Sequence, residues 1–238
     1  MKIAICAIAR DENPYFEEWL NYHRKVGISH FFLYDNGSRT PIKDYLQENN
    51  LMKDDIEIVE WHDFKLGAQS RAYMDCCKKH QDFDYIGFLD IDEFYESNKM
   101  NVIRDIQDLR DLYGNFFGVG LYWRIYGSNN PYFEERHPVD EYVKWHGDKH
   151  IKSFVCPKYV MGFPDPHKAS LIGGNYINEK GGKILGPYGQ HTSDNIWIKH
   201  VFTRSKSEFL EKIERGDANL QVRTRTMNDF YAYNDLCK

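Results

Sequence analysis

The first ninety residues alternate between two periods of apolar placement. Ile3-Ala4-Ile5-Cys6-Ala7-Ile8-Ala9 is an unbroken apolar run of strand length, the pattern of a parallel strand covered on both faces. Asn13-Pro14 marks a helix start, since proline is tolerated in a first turn, and Phe16, Trp19, Leu20 and His23 follow at helical spacing until Gly27 stops the run. Ile28 to Tyr34 predicts a second strand, closed by the turn formers Asp35-Asn36-Gly37-Ser38. Residues 41–50 predict a short helix, 56–61 an alternating half-buried strand, and 69–79 a further helix. Tyr85-Ile86-Gly87-Phe88-Leu89 is then a strand that runs straight into Asp90-Ile91-Asp92-Glu93. This strand-helix alternation predicts an α/β fold with a mostly parallel central sheet, right-handed crossovers and flanking helices. Beyond residue 115 the pattern loosens into strand-like pieces at 117–123, 151–155 and 196–201, many glycines and prolines, and a helix at 206–214. No repeat or low-complexity linker divides the chain, so a single domain over residues 1–238 is expected.

Ligands of such sheets sit outside the carboxyl ends of the strands. Asp11, Asp35, His62 and Asp90 to Glu93 each follow a predicted strand and so converge on one rim. On extended backbone Asp90 and Asp92 project to the same side, while Leu89 and Ile91 point the other way. Two carboxylates on one face suit Mg²⁺ or Mn²⁺, which take oxygen ligands and leave positions for water and substrate phosphates. Three acids at one strand end also repel one another unless a cation stands among them, and no residue in the flanking stretch neutralises all three.

Composition narrows the class. With 42% hydrophobic, 28% charged and 16% aromatic residues the chain is neither disordered nor fibrous. A formal net charge of −5 offers no footprint for a polyanion, which excludes nucleic acid as the expected partner. Cys6, Cys76, Cys77, Cys156 and Cys237 are odd in number and their one close pair is adjacent, which argues against a disulfide framework or a zinc ribbon. The apolar run at 3–9 is too short to span a membrane and lacks a cleavage site, so the expectation is a buried first strand in a cytoplasmic protein. The Lys and Arg residues of 199–225 would suit peripheral contact with an anionic membrane face, a solvated helix face being the simpler account.

Several blocks in order carry a family resemblance. Ile8-Ala9-Arg10-Asp11-Glu12-Asn13, Glu18-Trp19-Leu20-Asn21-Tyr22-His23, Gly27-Ile28-Ser29-His30-Phe31 and Tyr34-Asp35-Asn36-Gly37-Ser38 resemble the opening of family 92 and related family-2-like glycosyltransferases. Phe88-Leu89-Asp90-Ile91-Asp92-Glu93-Phe94 looks like that family's metal-binding Asp-x-Asp signature. Trp123-Arg124-Ile125-Tyr126-Gly127-Ser128 is similar to a segment that usually reads Trp-x-x-Phe-Gly-Ser, and Lys152-Ser153-Phe154-Val155 and His167 follow in the expected order. Ile198-Lys199-His200-Val201-Phe202-Thr203-Arg204-Ser205 resembles a late His-Tyr-x-x-Lys-Ser block, with Val201 and Arg204 in place of Tyr and Lys.

The resemblance implies a GT-A (nucleotide-diphospho-sugar transferase) fold, with residues 1–115 as the nucleotide-sugar half and 116–238 as the acceptor-side half. It implies an inverting, metal-dependent hexosyltransferase with Mn²⁺ or Mg²⁺ and a UDP-sugar donor. The implied acceptor is a glycan or glycolipid hydroxyl, as in cell-surface polysaccharide or lipopolysaccharide synthesis. Asp90, Asp92 and His200 are the expected metal ligands, His200 against the alternative of a satisfied core histidine. Arg10, Asp35, Arg71, Asp90 and Trp123 are expected at the donor, the arginines on the diphosphate. Asp35 would bind uracil or ribose, its rival role being an Asx-turn. Tyr126 and Ser128 join Trp123 as candidates for lining a sugar, and Tyr22 and His23 are expected to pack in the first helix. Asp165 and His167 are the candidates for the general base that inversion requires, Asp165 the first choice, ahead of Glu134, Glu135 and Asp63. Two other readings compete. A sugar-phosphate nucleotidyltransferase would need a glycine-rich basic loop after the first strand, which Ala9-Arg10-Asp11-Glu12 is not. A non-catalytic carbohydrate-binding protein would show no metal-linked nucleotide affinity.

Overall fold

The computed structural model describes residues 1–128, 132–216 and 225–237. Strand β1 (Ile3–Ala9) lies between β2 (His30–Asp35) and β4 (Tyr85–Phe88), parallel to both, and β3 (Ile56–Glu60) adds a parallel edge beyond β2. The apolar run of β1 reflects cover on both sides. Ile3, Ile5, Ala7 and Ala9 face a core built with α1 (Phe16–Lys25) and α2 (Ile42–Glu48), whereas Ala4 and Cys6 face α3 (Ala68–Lys79). Helix α1 buries Phe16, Trp19, Leu20 and His23, and Gly27 follows it at φ 100°, a conformation open to glycine. Pro14 stands just ahead of α1, in a short 3-10 turn at Asn13–Tyr15.

The acids do not continue on extended backbone as anticipated. Residues 89–92 form a turn between β4 and a new strand, β5 (Glu93–Ser97). Helix α4 (Val102–Tyr113), capped by the Asn101 side chain, then covers the α1 face. Strands β6 (Gly118–Gly127) and β7 (Lys144–Val155) form a long antiparallel pair. The hairpin β8 (Val160–Asp165) and β9 (Lys168–Leu171) closes over α3, and β10 (Tyr176–Ile177) adds a short pairing to β6. Strand β11 (Ile196–His200) lies parallel to β6 and antiparallel to β5, followed by α5 (Lys206–Arg215) and α6 (Met227–Leu236).

The main sheet runs β3-β2-β1-β4-β7-β6-β11-β5, with β10 beside β6, so strands from both halves of the chain share one sheet. With the acids just past β4 and helices against its faces, this is the α/β arrangement that the strand and helix pattern predicts. All five cysteines are free thiols. Among the described residues no helix is long and apolar enough to cross a membrane.

Candidate active site

A cavity of about 340 Å³ opens at the carboxyl ends of β1 and β4 and is lined by Arg10, Asp90, Asp92, Trp123, His167 and His200 among others. Six expected site residues therefore meet in one place. Arg10 follows β1, Asp90 and Asp92 belong to the β4–β5 turn, His200 ends β11, and His167 stands between β8 and β9. Trp123 sits where the β6–β7 register shifts between Tyr122 and Arg124, a bulge that re-aims its side chain into the cavity.

The β4–β5 turn is closed by its own members: the Glu93 amide donates to the Asp90 carbonyl (3.1 Å) and the Asp90 amide to Glu93 Oε2 (2.9 Å). The cations that neutralise the three acids come from far along the chain. Lys152 Nζ on β7 lies 2.8 Å from Asp90 Oδ2 and 3.2 Å from Glu93 Oε2. Lys212 Nζ on α5 donates to Asp92 Oδ2 at 2.6 Å. His200 Nε2 lies 3.5 Å from Asp92 Oδ1. Burial alone would favour protonated acids, but Lys152 holds the Asp90 carboxyl below its usual range, and Lys212 and His200 hold Asp92 well below. At Glu93 burial wins over Lys152 and pushes the carboxyl up to about 8.

These residues fit a divalent ion only in part. The side chain of Asp90 is 36% exposed, that of Asp92 12% and that of Glu93 0%, so Asp90 and Asp92 are the two acids that can face a ligand. Among the described residues no group of three or more His, Cys, Asp or Glu is disposed to hold a metal by itself. Two carboxylates completed by phosphate oxygens is nonetheless a common arrangement for Mg²⁺.

His167 is framed on three sides. Its amide donates to Asp165 Oδ1 (2.8 Å), its carbonyl accepts from the Ser153 hydroxyl (2.5 Å), and Nδ1 lies 3.1 Å from the Ile151 carbonyl. A carbonyl can only accept, so Nδ1 carries the proton and Nε2 holds the lone pair. Burial, aided by Lys152, lowers the imidazole to about 4 and keeps it neutral near pH 7.

Other expectations are corrected. Asp35 is buried and spent on backbone: Oδ1 accepts from the Ser38 amide and Oδ2 from the Ile42 amide at the start of α2, both at 2.8 Å. Arg71 does not line the cavity. It grips Asp63 through Nε (2.5 Å) and Nη2 (3.0 Å) and two loop carbonyls, which also removes Asp63 as a base. Asp165 lies off the cavity wall and holds the His167 amide. Glu134 and Glu135 are exposed beside Lys206 and Ser207. The Tyr126 hydroxyl donates to Glu96, and Ser128 is tied to Asn234, so neither faces a ligand. His62 is exposed next to Glu60 rather than on the rim. His23, by contrast, packs in α1 as expected, its Nδ1 donating to the Trp19 carbonyl (2.9 Å) and its Nε2 accepting from the Tyr95 amide (3.2 Å).

Sequence reasoning overlooked several cavity residues. Lys212 and Arg215 enter from α5, and Tyr233 from α6. Arg215 pairs with Glu12 at 2.6 Å, whereas Arg10 makes no hydrogen bond, ion pair or ring contact with any described residue and faces the cavity uncommitted. Gln69 donates to Asp90 Oδ1 (2.8 Å), and its place in the first turn of α3 gave no sign of this.

Comparison with known proteins follows the same lines. The family description "Glycosyltransferase family 92" matches residues 2–163. A glycosyltransferase family 92 protein of Ricinus communis is 28% identical over 132 residues, 50% of this chain and 24% of the relative. One of Oryza sativa subsp. japonica is 25% identical over 105 residues, 44% of this chain and 18% of the relative. The chain thus matches about a quarter or less of the length of these relatives. Among solved structures, HddC from Yersinia pseudotuberculosis aligns at TM-score 0.46 and 12% identity, over 75% of this chain and 89% of that one. The mannosyltransferase PcManGT from Pyrobaculum calidifontis, in complex with GDP-Man and Mn²⁺, aligns at TM-score 0.41 and 14% identity, over 65% and 44%. The matched family segment runs from β1 into β8 and carries Arg10, Asp90, Asp92, Trp123 and Lys152, and by that match this chain belongs to glycosyltransferase family 92.

Proposed function

We propose that the chain is an inverting hexosyltransferase that moves a sugar from a UDP-sugar to a hydroxyl of a glycan or glycolipid, in the building of a cell-surface polysaccharide or lipopolysaccharide. The observation that carries the reading is the meeting of Arg10, Asp90, Asp92, Trp123, His167 and His200 around one cavity of about 340 Å³. Uridine as the base rests on family membership rather than on a residue of the cavity wall.

The diphosphate would lie along Arg10, whose guanidinium has no hydrogen-bond or ion-pair partner among the described residues and matches phosphate oxygens in shape and charge. Asp90 and Asp92, with His200 beside them, would hold Mn²⁺ or Mg²⁺ jointly with the diphosphate. That ion would supply Lewis-acid neutralisation of the leaving group, worth several kcal/mol. Trp123 offers an aromatic face to the apolar side of a sugar ring.

His167 Nε2 takes the proton of the acceptor hydroxyl as its oxygen bonds to the anomeric carbon. The bond from that carbon to the diphosphate oxygen breaks, and UDP leaves with the electron pair. Asp165 serves as a positioning residue through the His167 amide. The test is a turnover screen of UDP-galactose, UDP-glucose, UDP-N-acetylglucosamine and GDP-sugars with Mn²⁺. UDP release from at least one UDP-hexose is expected, and no cleavage of any donor would overturn the assignment.

A further inference from the structure

Asp90 and Asp92 each hold a lysine, but the two lysines are not equivalent. Lys152 is fully buried and shared between Asp90 and Glu93 on the strand below the turn. It does not line the cavity. Lys212 instead lines the cavity from the last turn of α5. Its ammonium donates to Asp92 Oδ2 (2.6 Å) and to the Phe202 carbonyl (2.9 Å) and lies 4.4 Å from the Phe202 ring centroid. It therefore occupies Oδ2 of Asp92, one of the two oxygens this carboxylate could offer a divalent ion, and lines the cavity as it does so. A second cavity of about 760 Å³ shares Lys212, Asp92 and Arg10 with the first, so Lys212 lines both.

Two positive charges cannot share one face of a carboxylate at contact distance without strong repulsion. Removing the ammonium with nothing in its place would leave Asp92 as a buried unpaired charge, which is equally unfavourable. Both costs vanish together when an ion takes Asp92 and a diphosphate supplies new oxygens for the ammonium. On the reading of the cavity given above, we infer that Lys212 is a placeholder cation: it holds Asp92 in the empty enzyme, gives that carboxylate up to the divalent ion, and passes to the donor's diphosphate. Asp92 thereby stays compensated in both states. The ion enters well only in company with the nucleotide, which keeps the empty cavity from filling with stray divalent metal.

The experiment measures Mn²⁺ affinity by electron paramagnetic resonance titration without any donor, for wild type, Lys212→Met and Lys212→Arg. Outer-shell changes commonly move metal affinity about 10- to 100-fold. Lys212→Met is expected to bind Mn²⁺ at least about tenfold more tightly than wild type while binding UDP more weakly. Lys212→Arg, which keeps the charge, is expected to gain nothing. Should Lys212→Met be poorly folded alone, Mn²⁺ is expected to restore its cooperative melting, because the ion would replace the missing charge. Mn²⁺ affinity in Lys212→Met equal to or below wild type, or an unfolded variant that Mn²⁺ does not rescue, overturns the inference. Such a result alongside intact UDP-hexose turnover would leave the transferase reading standing, whereas loss of turnover with every donor would sink that reading instead.

Discussion

The Lys152 ammonium lies 2.8 Å from Asp90 Oδ2, joining a residue of β7 to the turn after β4 across 62 positions of sequence. The same ammonium reaches Glu93, so one fully buried cation fixes both ends of the turn on which the cavity is built. Breaking such a buried pair by removing one partner typically costs about 3–5 kcal/mol. Lys152→Met should therefore lower unfolding stability by about that much in urea titration, and a loss below about 1 kcal/mol would show the pair to be dispensable.

Base assignment separates two neighbouring residues. His167→Gln should lower kcat by about 10²- to 10⁴-fold, the usual contribution of a general base. Asp165→Asn keeps an oxygen acceptor for the His167 amide and should stay close to wild type. If Asp165 were the base, the two variants would exchange places.

The pH dependence of the reaction follows from the same histidine. Because burial depresses His167 to about 4, the lone pair on Nε2 is available over the whole neutral range. The acid limb of kcat/KM should fall near pH 4 rather than near the ordinary histidine value of about 6.5, with a plateau between. An inflection near 6.5 would place the catalytic proton elsewhere.

Acid stability has a separate source. His23 is buried and lowered to about 3, so the folded protein binds its proton less readily than the unfolded chain does. A depressed histidine contributes stability that is full above about 6.5 and lost progressively as pH falls toward about 3. His23→Phe should flatten the slope of unfolding free energy in that window, at a cost of about 1–3 kcal/mol near pH 7 from the unpaired Tyr95 amide. An unchanged slope would assign acid sensitivity to other groups.

How far the sequence discloses this molecule depends on the range of the interactions involved. Strand β1 is legible because cover on both faces writes itself as an unbroken apolar run, and α1 because its buried residues keep helical spacing. Helix α4 is absent from the pattern read above, although Asn101 as cap and Val102, Ile106 and Leu109 on one face carry the same kind of signal. Strand β5 is not legible, since it opens on Glu93, an acid whose buried carboxyl meets Lys152 fifty-nine positions later and the amide of Asp90. Lys212 is the clearest case. A lysine in the last turn of a helix reads as a solvated complement to the helix dipole, and its burial against Asp92 comes from tertiary contact alone. Asp35 errs in the other direction: a carboxylate after a strand suits both a ligand and a turn, and the backbone amides of Ser38 and Ile42 claim it.

That distinction gives a paired test. Asp35→Ala should cost about 0.5–2 kcal/mol of stability, the usual range for a lost helix cap, with KM for the donor unchanged. Arg10→Ala should do the opposite, raising KM for the donor while leaving the melting temperature close to wild type, because Arg10 has no hydrogen bond, ion pair or ring contact with a described residue to lose. Equal KM values in Arg10→Ala and wild type would move the diphosphate elsewhere.

The central claim is that the cavity bordered by Asp92 is where a nucleotide sugar is cleaved. Its most direct test is the rate of UDP release from a UDP-hexose with Mn²⁺ by wild type and by Asp92→Asn, a substitution that keeps size while removing the charge and one acceptor oxygen, with both proteins checked for folding by circular dichroism. The predicted result is measurable release by wild type and a loss of about 10²-fold or more in the folded variant. Undiminished release from folded Asp92→Asn would contradict the account.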